Sequence, residues 1–324
     1  MQIRATCGEE AFLLETFFNS IQSVLVILLL TAVGYFCAAK GWLGTNEKKF
    51  ISKLLMNLAI PIMCVYSLCS RLTLDLLRDA GRMLLVPLIC VLGSFALSYV
   101  AGKLMHLPRR TMGVFMMMCG LSNTLFIGYP MCTEIFGDSA TPYVMMYYLI
   151  STSFTQLLGQ SLVRWSGGTG GFTWKTFLNF LKAPTVIGIF VAIALVLLDI
   201  NPPALFMSFG KYMNQIVTPL ALLVTGEIIY SIGLRNLRVD RLMFIVSLFR
   251  FVIAPVLCIL LCRIFSVDNF ATSVFVVQAA MPVVSQTVVA AAEYGADEQC
   301  AAQGAAITTL LSFLAIPVLT IFLS

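Results

Sequence analysis

The chain has 324 residues, of which 60% are apolar and only 11% carry a charge. Soluble domains carry about 25% charged residues, because their surfaces must be solvated by water. The composition therefore excludes a soluble globular fold. It also excludes a disordered chain, which would be poor in apolar residues, and it indicates a multi-pass membrane protein.

The charge and the cysteines restrict the partners of the chain. The net charge is +5, which is typical of basic cytoplasmic loops, and the chain has no extended basic run of the kind that binds nucleic acid. The ten cysteines lie mostly inside apolar segments and form no CxxC pair. Because buried thiols of this kind are usually small hydrophobes, we expect no metal site and no cofactor. The expected partners are membrane lipid and a small-molecule ligand.

Ten apolar segments are separated by stretches that contain charged residues or Gly and Pro. A helix that crosses the hydrocarbon core needs about 20 apolar residues, and the sixth segment is the shortest. The segments are Phe17–Ala39, Phe50–Ser70, Met83–Met105, Thr111–Phe136, Pro142–Trp165, Pro184–Leu198, Ala204–Ile232, Leu242–Phe265, Phe270–Tyr294 and Cys300–Leu323. The sequence therefore predicts an all-α membrane protein with ten transmembrane spans.

The basic residues predict the orientation of these spans. Most lysines and arginines fall in the loops on one side, among them Lys48, Lys49, Arg109 and Arg110. Loops rich in Lys and Arg stay in the cytoplasm. The loop after the first span is therefore predicted to be cytoplasmic, and both termini are predicted to be extracytoplasmic.

A weak internal repeat divides the chain into two halves. Residues 56–61 match 213–219, and residues 113–137 match 273–295, with a spacing of about 158 residues in both cases. Each half then holds five spans, and an odd number inverts the second half in the membrane. Inverted repeats of this kind are common in secondary transporters.

The repeat predicts the domain organisation. An N-terminal tail, 1–16, precedes the first five-helix repeat, 17–165, and the second repeat is 183–324. Between them, residues 166–182 contain a Gly-rich linker, Ser166–Gly171, followed by alternating aromatic and basic residues in Phe172–Lys182. This second stretch is typical of a short helix on the membrane surface.

The fourth and ninth spans carry helix-breaking residues in corresponding places. Gly128 and Pro130 interrupt the fourth span and Pro282 interrupts the ninth, since Gly and Pro weaken or break a helix. Unwound backbone in a membrane must line a cavity or be buried in protein, and matched breaks indicate a transport site. The predicted substrate-binding side chains beside the breaks are Ser122, Asn123, Thr124, Gln278, Ser285 and Gln286.

These breaks favour an anionic ligand. Each one exposes the amino end of a half-helix, whose N–H groups and partial positive charge attract a carboxylate. Neutral side chains around it suit a carrier, because a fixed cation would hold an anion too tightly for release. The fifth span adds a polar face, part of which we expect to line the cavity: Tyr147, Tyr148, Ser151, Thr152, Ser153 and Gln156.

Two ionisable residues lie inside predicted spans. Glu227 is the only carboxylate well inside a span, and Arg250 is the clearest intramembrane base. Both lie toward the predicted cytoplasmic ends of neighbouring spans, so we predict a structural ion pair between them. The alternative is a role in coupling or in attracting the substrate, because charges in a membrane are costly and usually functional.

The motif residues resemble a known family. Ser122–Pro130, with the sequence SNTLFIGYP, is similar to the NT…G-P motif of the auxin efflux carrier family, and Gln278–Pro282 followed by Ala292–Gly295 is similar to its second motif. The resemblance runs from about Phe18 to the end of the chain. It implies ten spans in two inverted repeats, with a carboxylate-bearing substrate bound where the fourth and ninth spans cross. It also implies that Asn123 is a substrate ligand and that the spans cross at Pro130 and Pro282, with Gly128 nearby.

The second motif departs from the family pattern at one point. Val283 and Val284 follow Pro282 where the family has an Asn, so the ligands in the second half differ from those of other members. The short linker at 166–172 also differs from the long regulated loop of some plant members, and we expect no kinase control through it.

The sequence thus predicts a secondary active or facilitative transporter that moves a small organic anion by alternating access. The rival hypothesis is a channel or receptor for a small amphipathic ligand, which would need a continuous polar stripe or an added sensor domain. An enzyme is not expected, because a metal motif is lacking and His106 is the sole histidine. The sequence leaves substrate, coupling ion and oligomeric state open, a homodimer included.

Overall fold

The fold is described from a computed structural model of the chain and covers residue 22 and residues 24–171, 174–233 and 237–323. Within these residues, all regular structure is helical, apart from one isolated β-bridge. The prediction of an all-α fold is therefore confirmed for the described part of the chain. The predicted tail, 1–16, and the start of the first predicted span lie outside these residues.

The helices are numbered here in chain order. They are α1 Val24–Ala39, α2 Thr45–Arg71, α3 Leu74–Leu104, α4 Arg109–Gly120, α5 Gly128–Phe136, α6 at 141–166, α7 Trp174–Leu181, α8 Pro184–Leu197, α9 Ala204–Ile232, α10 Arg241–Ile264, α11 Asn269–Ala279, α12 Gln286–Tyr294 and α13 Glu298–Ile321. Single π-helical turns interrupt α2, α6 and α10.

The described part of every predicted apolar segment falls on a helix or, for the fourth and ninth, on a pair of helices. The main error lies in α3, which begins at Leu74 and not at the predicted Met83. Thr73 caps this helix by accepting a hydrogen bond from the Leu76 N–H at 3.2 Å. Ion pairs three residues apart then follow along its first turns. An apolar pattern detects the membrane-like part of a helix but not such polar first turns.

Among the described residues, five helices are long and apolar enough to cross a membrane: α2, α3, α9, α10 and α13. Shorter apolar helices include α1, α8 and α11. The predicted count of ten spans, and the inversion of one half relative to the other, stay predictions. The short helix predicted in Phe172–Lys182 is present as α7, and its place at a membrane surface also stays a prediction.

Small residues bring the long helices close together. A Cβ on Gly226 of α9 would overlap the backbone of α1 at Thr31 and Tyr35, and a Cβ on Gly188 of α8 would lie 2.8 Å from the Pro61 carbonyl oxygen of α2. Lipid tails are as apolar as Leu, so membrane helices associate through close packing rather than through burial from water. Gly226 therefore sets how closely α9 approaches α1, and Gly188 sets how closely α8 approaches α2.

The interior consists of two clusters of buried apolar residues that meet where α4 and α11 end. One cluster gathers around α5 and α11 and includes Tyr129 and Phe275. The other gathers around α4 and α12 and includes Phe115 and Ala290. The unwound stretches that join α4 to α5 and α11 to α12 lie between the two clusters, which fixes their position at the centre of the molecule.

Gly226 provides a test of the α1–α9 packing. Gly226→Ala should lower the melting temperature, because a methyl group forced against backbone atoms costs about 1–3 kcal/mol of stability. Gly81→Ala is the matched control, since Gly81 is exposed on α3 and a Cβ added there would have no neighbouring atom within 4 Å. It should raise stability by up to about 1 kcal/mol through helix propensity. Equal melting temperatures for both variants would contradict the close contact.

Candidate functional site

The two predicted helix breaks are present, and the unwound stretches touch each other. We call residues 121–127 and 280–285 together the crossing. Ser122 pairs with Val283 in the isolated antiparallel bridge. The Asn123 N–H donates to the Pro282 carbonyl at 2.8 Å, and the Val283 N–H donates to the Thr308 hydroxyl at 3.0 Å. Backbone groups that have left a helix inside an apolar interior thus find partners across the crossing.

The three residues expected to mark the crossing occupy different positions. Pro282 lies in the crossing itself, whereas Pro130 is in the first turn of α5, where a missing N–H costs little. Gly128 opens α5, and a Cβ there would lie 2.5 Å from the Gln278 side-chain oxygen. Gly128 is therefore needed for close approach of α5 to α11.

A cavity of about 50 Å³ lies beside the crossing. Five of the six predicted binding residues line it: Ser122, Asn123, Thr124, Ser285 and Gln286. The remaining lining residues are Met56, Leu125, Phe126, Tyr148, Ser151, Thr152, Thr155 and Val284. The crossing thus brings both halves of the sequence motif to one cavity, and α6 forms the opposite wall.

Part of the cavity wall formed by α6 was predicted from the sequence. Tyr148, Ser151 and Thr152 belong to the expected polar face, but Thr155 and Met56 were not singled out. Thr155 lies four residues after Ser151, on the same helix face, so its spacing could have revealed it. Met56 is an apolar residue with no such signal. Within the described part of the chain, no group of His, Cys, Asp and Glu could hold a metal ion.

The prediction for Gln278 does not match its position. Its side chain is fully buried behind the crossing, against Gly128, and its amide nitrogen lies 3.4 Å from the Cys132 sulfur. Gln278 occupies the last turn of α11, and this turn faces α5 rather than the cavity. The residue is therefore a packing contact between the two broken spans.

Asn123 joins the two halves of the crossing through its side chain. Its amide nitrogen donates to the Ser285 hydroxyl at 3.2 Å, and its amide oxygen accepts from the Phe126 N–H at 3.2 Å. The second contact turns the chain toward the start of α5. Asn123 is thus both a cavity-lining residue and a structural link, which the sequence alone did not indicate.

The amino end of α12 begins at the cavity, which Ser285 and Gln286 line, and α5 begins at Gly128, two residues after the lining residue Phe126. Neither helix has a side-chain hydrogen bond at its N-cap. Ser285 holds the N-cap position of α12, but its hydroxyl accepts from Asn123 instead of capping the helix. Two helix amino ends, each carrying partial positive charge, therefore lie at or next to a cavity whose polar lining groups are neutral.

Arg250 of α10 interacts with the carboxyl ends of the other two half-helices. Its guanidinium donates to the Cys119 carbonyl of α4 at 3.0 Å, to the Ala279 carbonyl of α11, and to the Met281 carbonyl at 2.9 Å. The residue is only 1% exposed. Because the last carbonyls of a helix have no partner within it and carry partial negative charge, one guanidinium satisfies and neutralises both helix ends.

The predicted ion pair between Arg250 and Glu227 is wrong. Glu227 instead pairs with Lys48 of α2 at 2.7 Å, with 4% of the Glu227 side chain exposed and 24% of the Lys48 side chain. Depth in the helices explains the error. Arg250 lies about 13 Å along α10 from its start, whereas Glu227 lies about 8 Å from the end of α9, opposite the first turns of α2. Arg250 thus joins α10 to α4 and α11, whereas Glu227 joins α9 to α2.

These features define a multi-pass membrane protein built around a central polar site between broken helices. The sequence profile of a family described as "Membrane transport protein" matches residues 19–168 and 172–320. The chain belongs to this family, and the resemblance to the auxin efflux carriers is confirmed. The break between the two matched stretches falls inside the predicted linker, 166–182.

The relatives are transporters from archaea and bacteria. An uncharacterized transporter of Methanocaldococcus jannaschii is 25% identical over 299 residues, which cover 90% of this chain and 95% of the relative. One from Methanothermobacter thermautotrophicus is 24% identical over 314 residues, or 95% and 99% of the two chains. The uncharacterized transporter YfdV of Escherichia coli K12 is 25% identical over 198 residues, or 59% and 62%. The chain is therefore a membrane transporter.

The first prediction for the site concerns Arg250. Arg250→Met should lower the melting temperature strongly, because each buried carbonyl left without a donor costs about 1–3 kcal/mol. Arg250→Lys is the control that keeps the charge and three donors but loses the planar fork, and it should melt between wild type and Arg250→Met. If the Lys and Met variants melt together, packing volume and not helix-end neutralisation is the contribution of Arg250.

The second prediction concerns Lys48 and Glu227. Lys48→Met leaves a buried carboxylate unpaired, which costs about 3–5 kcal/mol, and adding Glu227→Gln should restore part of the lost melting temperature. Arg78→Met is the control, because its pair with Asp75 is exposed and should contribute little. If Glu227→Gln leaves stability intact but abolishes proton-dependent uptake, Glu227 is a coupling residue instead.

Proposed function

We propose that this transporter is a carrier for a small organic anion, which binds through a carboxylate at the crossing and moves by alternating access. In this proposal, ten spans form two inverted five-helix halves, 17–165 and 183–324, and both termini are extracytoplasmic. The transporter acts in the cell membrane. Matched broken helices at the centre of two halves are the usual arrangement around a transport site.

The observation that carries the proposal is the arrangement of helix ends around the cavity. The amino end of α12 lies at the cavity and that of α5 lies two residues beyond the lining residue Phe126, both without side-chain caps, and Arg250 neutralises the carboxyl ends of α4 and α11. The cavity therefore receives the positive ends of two helix dipoles, while the negative ends beside it are compensated. Carboxylates are favoured at such helix ends.

The side chains of the cavity suit reversible binding of a small ligand. The polar lining consists of hydroxyl and amide groups from the crossing and from α6, so an anion would be held by neutral hydrogen bonds. Hydrogen bonds to a charged group are worth about 1.5–3 kcal/mol each. A few such hydrogen bonds give enough affinity for binding, whereas a buried cation would bind the anion so tightly that its release would be slow. The volume of about 50 Å³ restricts the ligand in this conformation to a very small molecule.

Packing at one end of the site favours a carrier over a channel. Tyr143 of α6 packs against Phe270 and Phe275 of α11, with ring centroids 5.7 and 6.3 Å apart. These rings fill the space between the two helices toward one end of the protein. A channel needs a continuous polar path across the membrane, whereas a carrier is expected to be closed on one side of its site.

The proposal is tested by binding and uptake with a panel of labelled mono- and dicarboxylates. At least one should bind to purified protein and enter proteoliposomes, with sodium and proton gradients set separately to identify coupling. Asn123→Asp should weaken binding of that acid by roughly tenfold to a hundredfold, because a new carboxylate repels it and each 1.4 kcal/mol is a factor of ten. The amide oxygen that accepts from Phe126 is retained in Asp, so the fold should survive.

Asn214→Asp is the matched control for this substitution. Asn214 accepts a hydrogen bond from the Tyr129 hydroxyl at 2.6 Å and does not line the cavity. The same chemical change there should weaken carboxylate binding much less than Asn123→Asp does, because the new charge lies outside the cavity lining and Coulomb repulsion falls with distance. Equal affinities in both variants and in wild type would place the substrate site away from the crossing. Absence of binding by every carboxylate would contradict an organic-anion carrier.

A further inference from the structure

The broken ninth span and α6 run side by side along their whole length. Four contacts join them, and in each the residue numbers differ by 127 to 130: Tyr143 with Phe270, Tyr147 with Phe275, Gln156 with Gln286, and Arg164 with Tyr294. A constant difference means that the two elements run parallel. One continuous contact thus leads from the start of α6 and α11 to the end of α6 and α12.

The character of this contact changes at the cavity. Its first half, the aromatic seam, consists of Tyr143 and Tyr147 against Phe270 and Phe275, with ring centroids 5.7 to 6.3 Å apart. Rings at these distances attract one another and exclude water. The cavity follows directly, with Tyr148 and Thr152 on the α6 side.

The second half, the polar seam, has hydrogen-bonding side chains at every turn of α6. Its members on α6 are Thr152, Gln156, Gln160 and Arg164, each four residues after the last and each half-buried. Residues with this spacing lie on one helix face. Gln160 donates to the Gln156 side-chain oxygen at 2.7 Å, and Gln156 in turn donates to Gln286 of α12 at 3.5 Å. A chain of amides therefore leads from Gln286 at the cavity to Gln160, one turn before Arg164 on the same face.

Arg164 and Tyr294 form the end of the polar seam. The Arg164 guanidinium carbon lies 4.5 Å from the centroid of the Tyr294 ring, and its Nη2 donates to the Tyr294 hydroxyl at 2.9 Å. On α12, the position with the same offset from Gln160 is Ala290, a small buried residue. The seam is thus bounded by a fixed positive charge at its end and by the cavity at its start.

We infer that the polar seam is the access path by which an anion reaches the cavity from the Arg164 end, with Arg164 as its first contact. The inference rests on the proposed function and adds the route and the residue that selects negative charge. A cation at the mouth of a path raises the local concentration of anions. The amides of Gln160, Gln156 and Gln286 then offer neutral hydrogen bonds at successive depths, and the aromatic seam closes the other side of the cavity.

The arrangement also explains why the arginine lies at the mouth and not in the cavity. Its guanidinium already contacts the Tyr294 ring and hydroxyl, so an arriving carboxylate competes with existing interactions. Cation–π contacts at partly exposed sites are worth about 0.5–1 kcal/mol. The anion is therefore attracted to the mouth and passes on to neutral groups rather than being retained there.

The test uses cysteine modification and needs no substrate. In Gln160→Cys, the modification rates by an anionic reagent, 2-sulfonatoethyl methanethiosulfonate, and by a cationic one, 2-(trimethylammonium)ethyl methanethiosulfonate, give an anion-to-cation ratio. Ser161→Cys is the matched control, because Ser161 lies at the same depth and is half-buried, on another face of α6. Rates in the parent protein correct for the ten native cysteines. The ratio at Gln160→Cys should exceed that at Ser161→Cys by about tenfold.

Arg164→Gln in the Gln160→Cys background provides the decisive comparison. It should lower the ratio to the value of Ser161→Cys, because the charge that attracts the anionic reagent is gone. A ratio that does not change with Arg164→Gln, or a rate at Gln160→Cys no higher than in the parent, would overturn the inference. Failure of the proposed function is seen separately, as absence of carboxylate binding by wild-type protein, since the labelling requires no carboxylate.

Discussion

The whole site depends on one constraint, namely that backbone groups of a broken helix need partners inside an apolar interior. Two helices break here side by side, so two sets of carbonyls at the ends of α4 and α11 lose their helical partners. Arg250 meets this need by donating to the carbonyls of Cys119, Ala279 and Met281 from a single guanidinium. A planar group with several fixed donors suits this task better than an ammonium. The crossing can therefore exist as unwound backbone without exposing unsatisfied groups.

Neutralising one set of helix ends gives the other set its electrostatic effect. Without Arg250, the negative ends of α4 and α11 would offset the positive ends of α5 and α12, because all four lie close to the crossing. With it, the balance is the one that the proposed anion carrier requires. The Asn123–Ser285 hydrogen bond contributes in the same direction, since it diverts the Ser285 hydroxyl from capping α12. In the proposed function, a structural requirement of the broken helices thus also serves ligand selection.

The contact between α6 and the ninth span extends this organisation across the protein. The aromatic seam, the cavity and the polar seam follow one another along a single pair of parallel elements. Rings on one side can exclude water while amides on the other can be solvated, so the cavity has unequal surroundings at its two ends. An alternating-access carrier needs this difference, because in any one state its site is open to only one side of the membrane. The glycines at Gly188 and Gly226 hold α8, α2, α9 and α1 together beside this unit.

The order of residues was enough to predict the helical class, the positions of the apolar segments, both helix breaks and five of the six cavity residues proposed from the motifs. These features follow from composition and from neighbours along the chain, which the order of residues records directly. The partners of Arg250 and Glu227, the orientation of Gln278 behind the crossing and the structural contacts of Asn123 depend instead on how the helices pack. A long side chain interacts with whichever helix packs against its own, at its own depth. That neighbour is set by the packing of the complete fold, and no local pattern in the sequence records it.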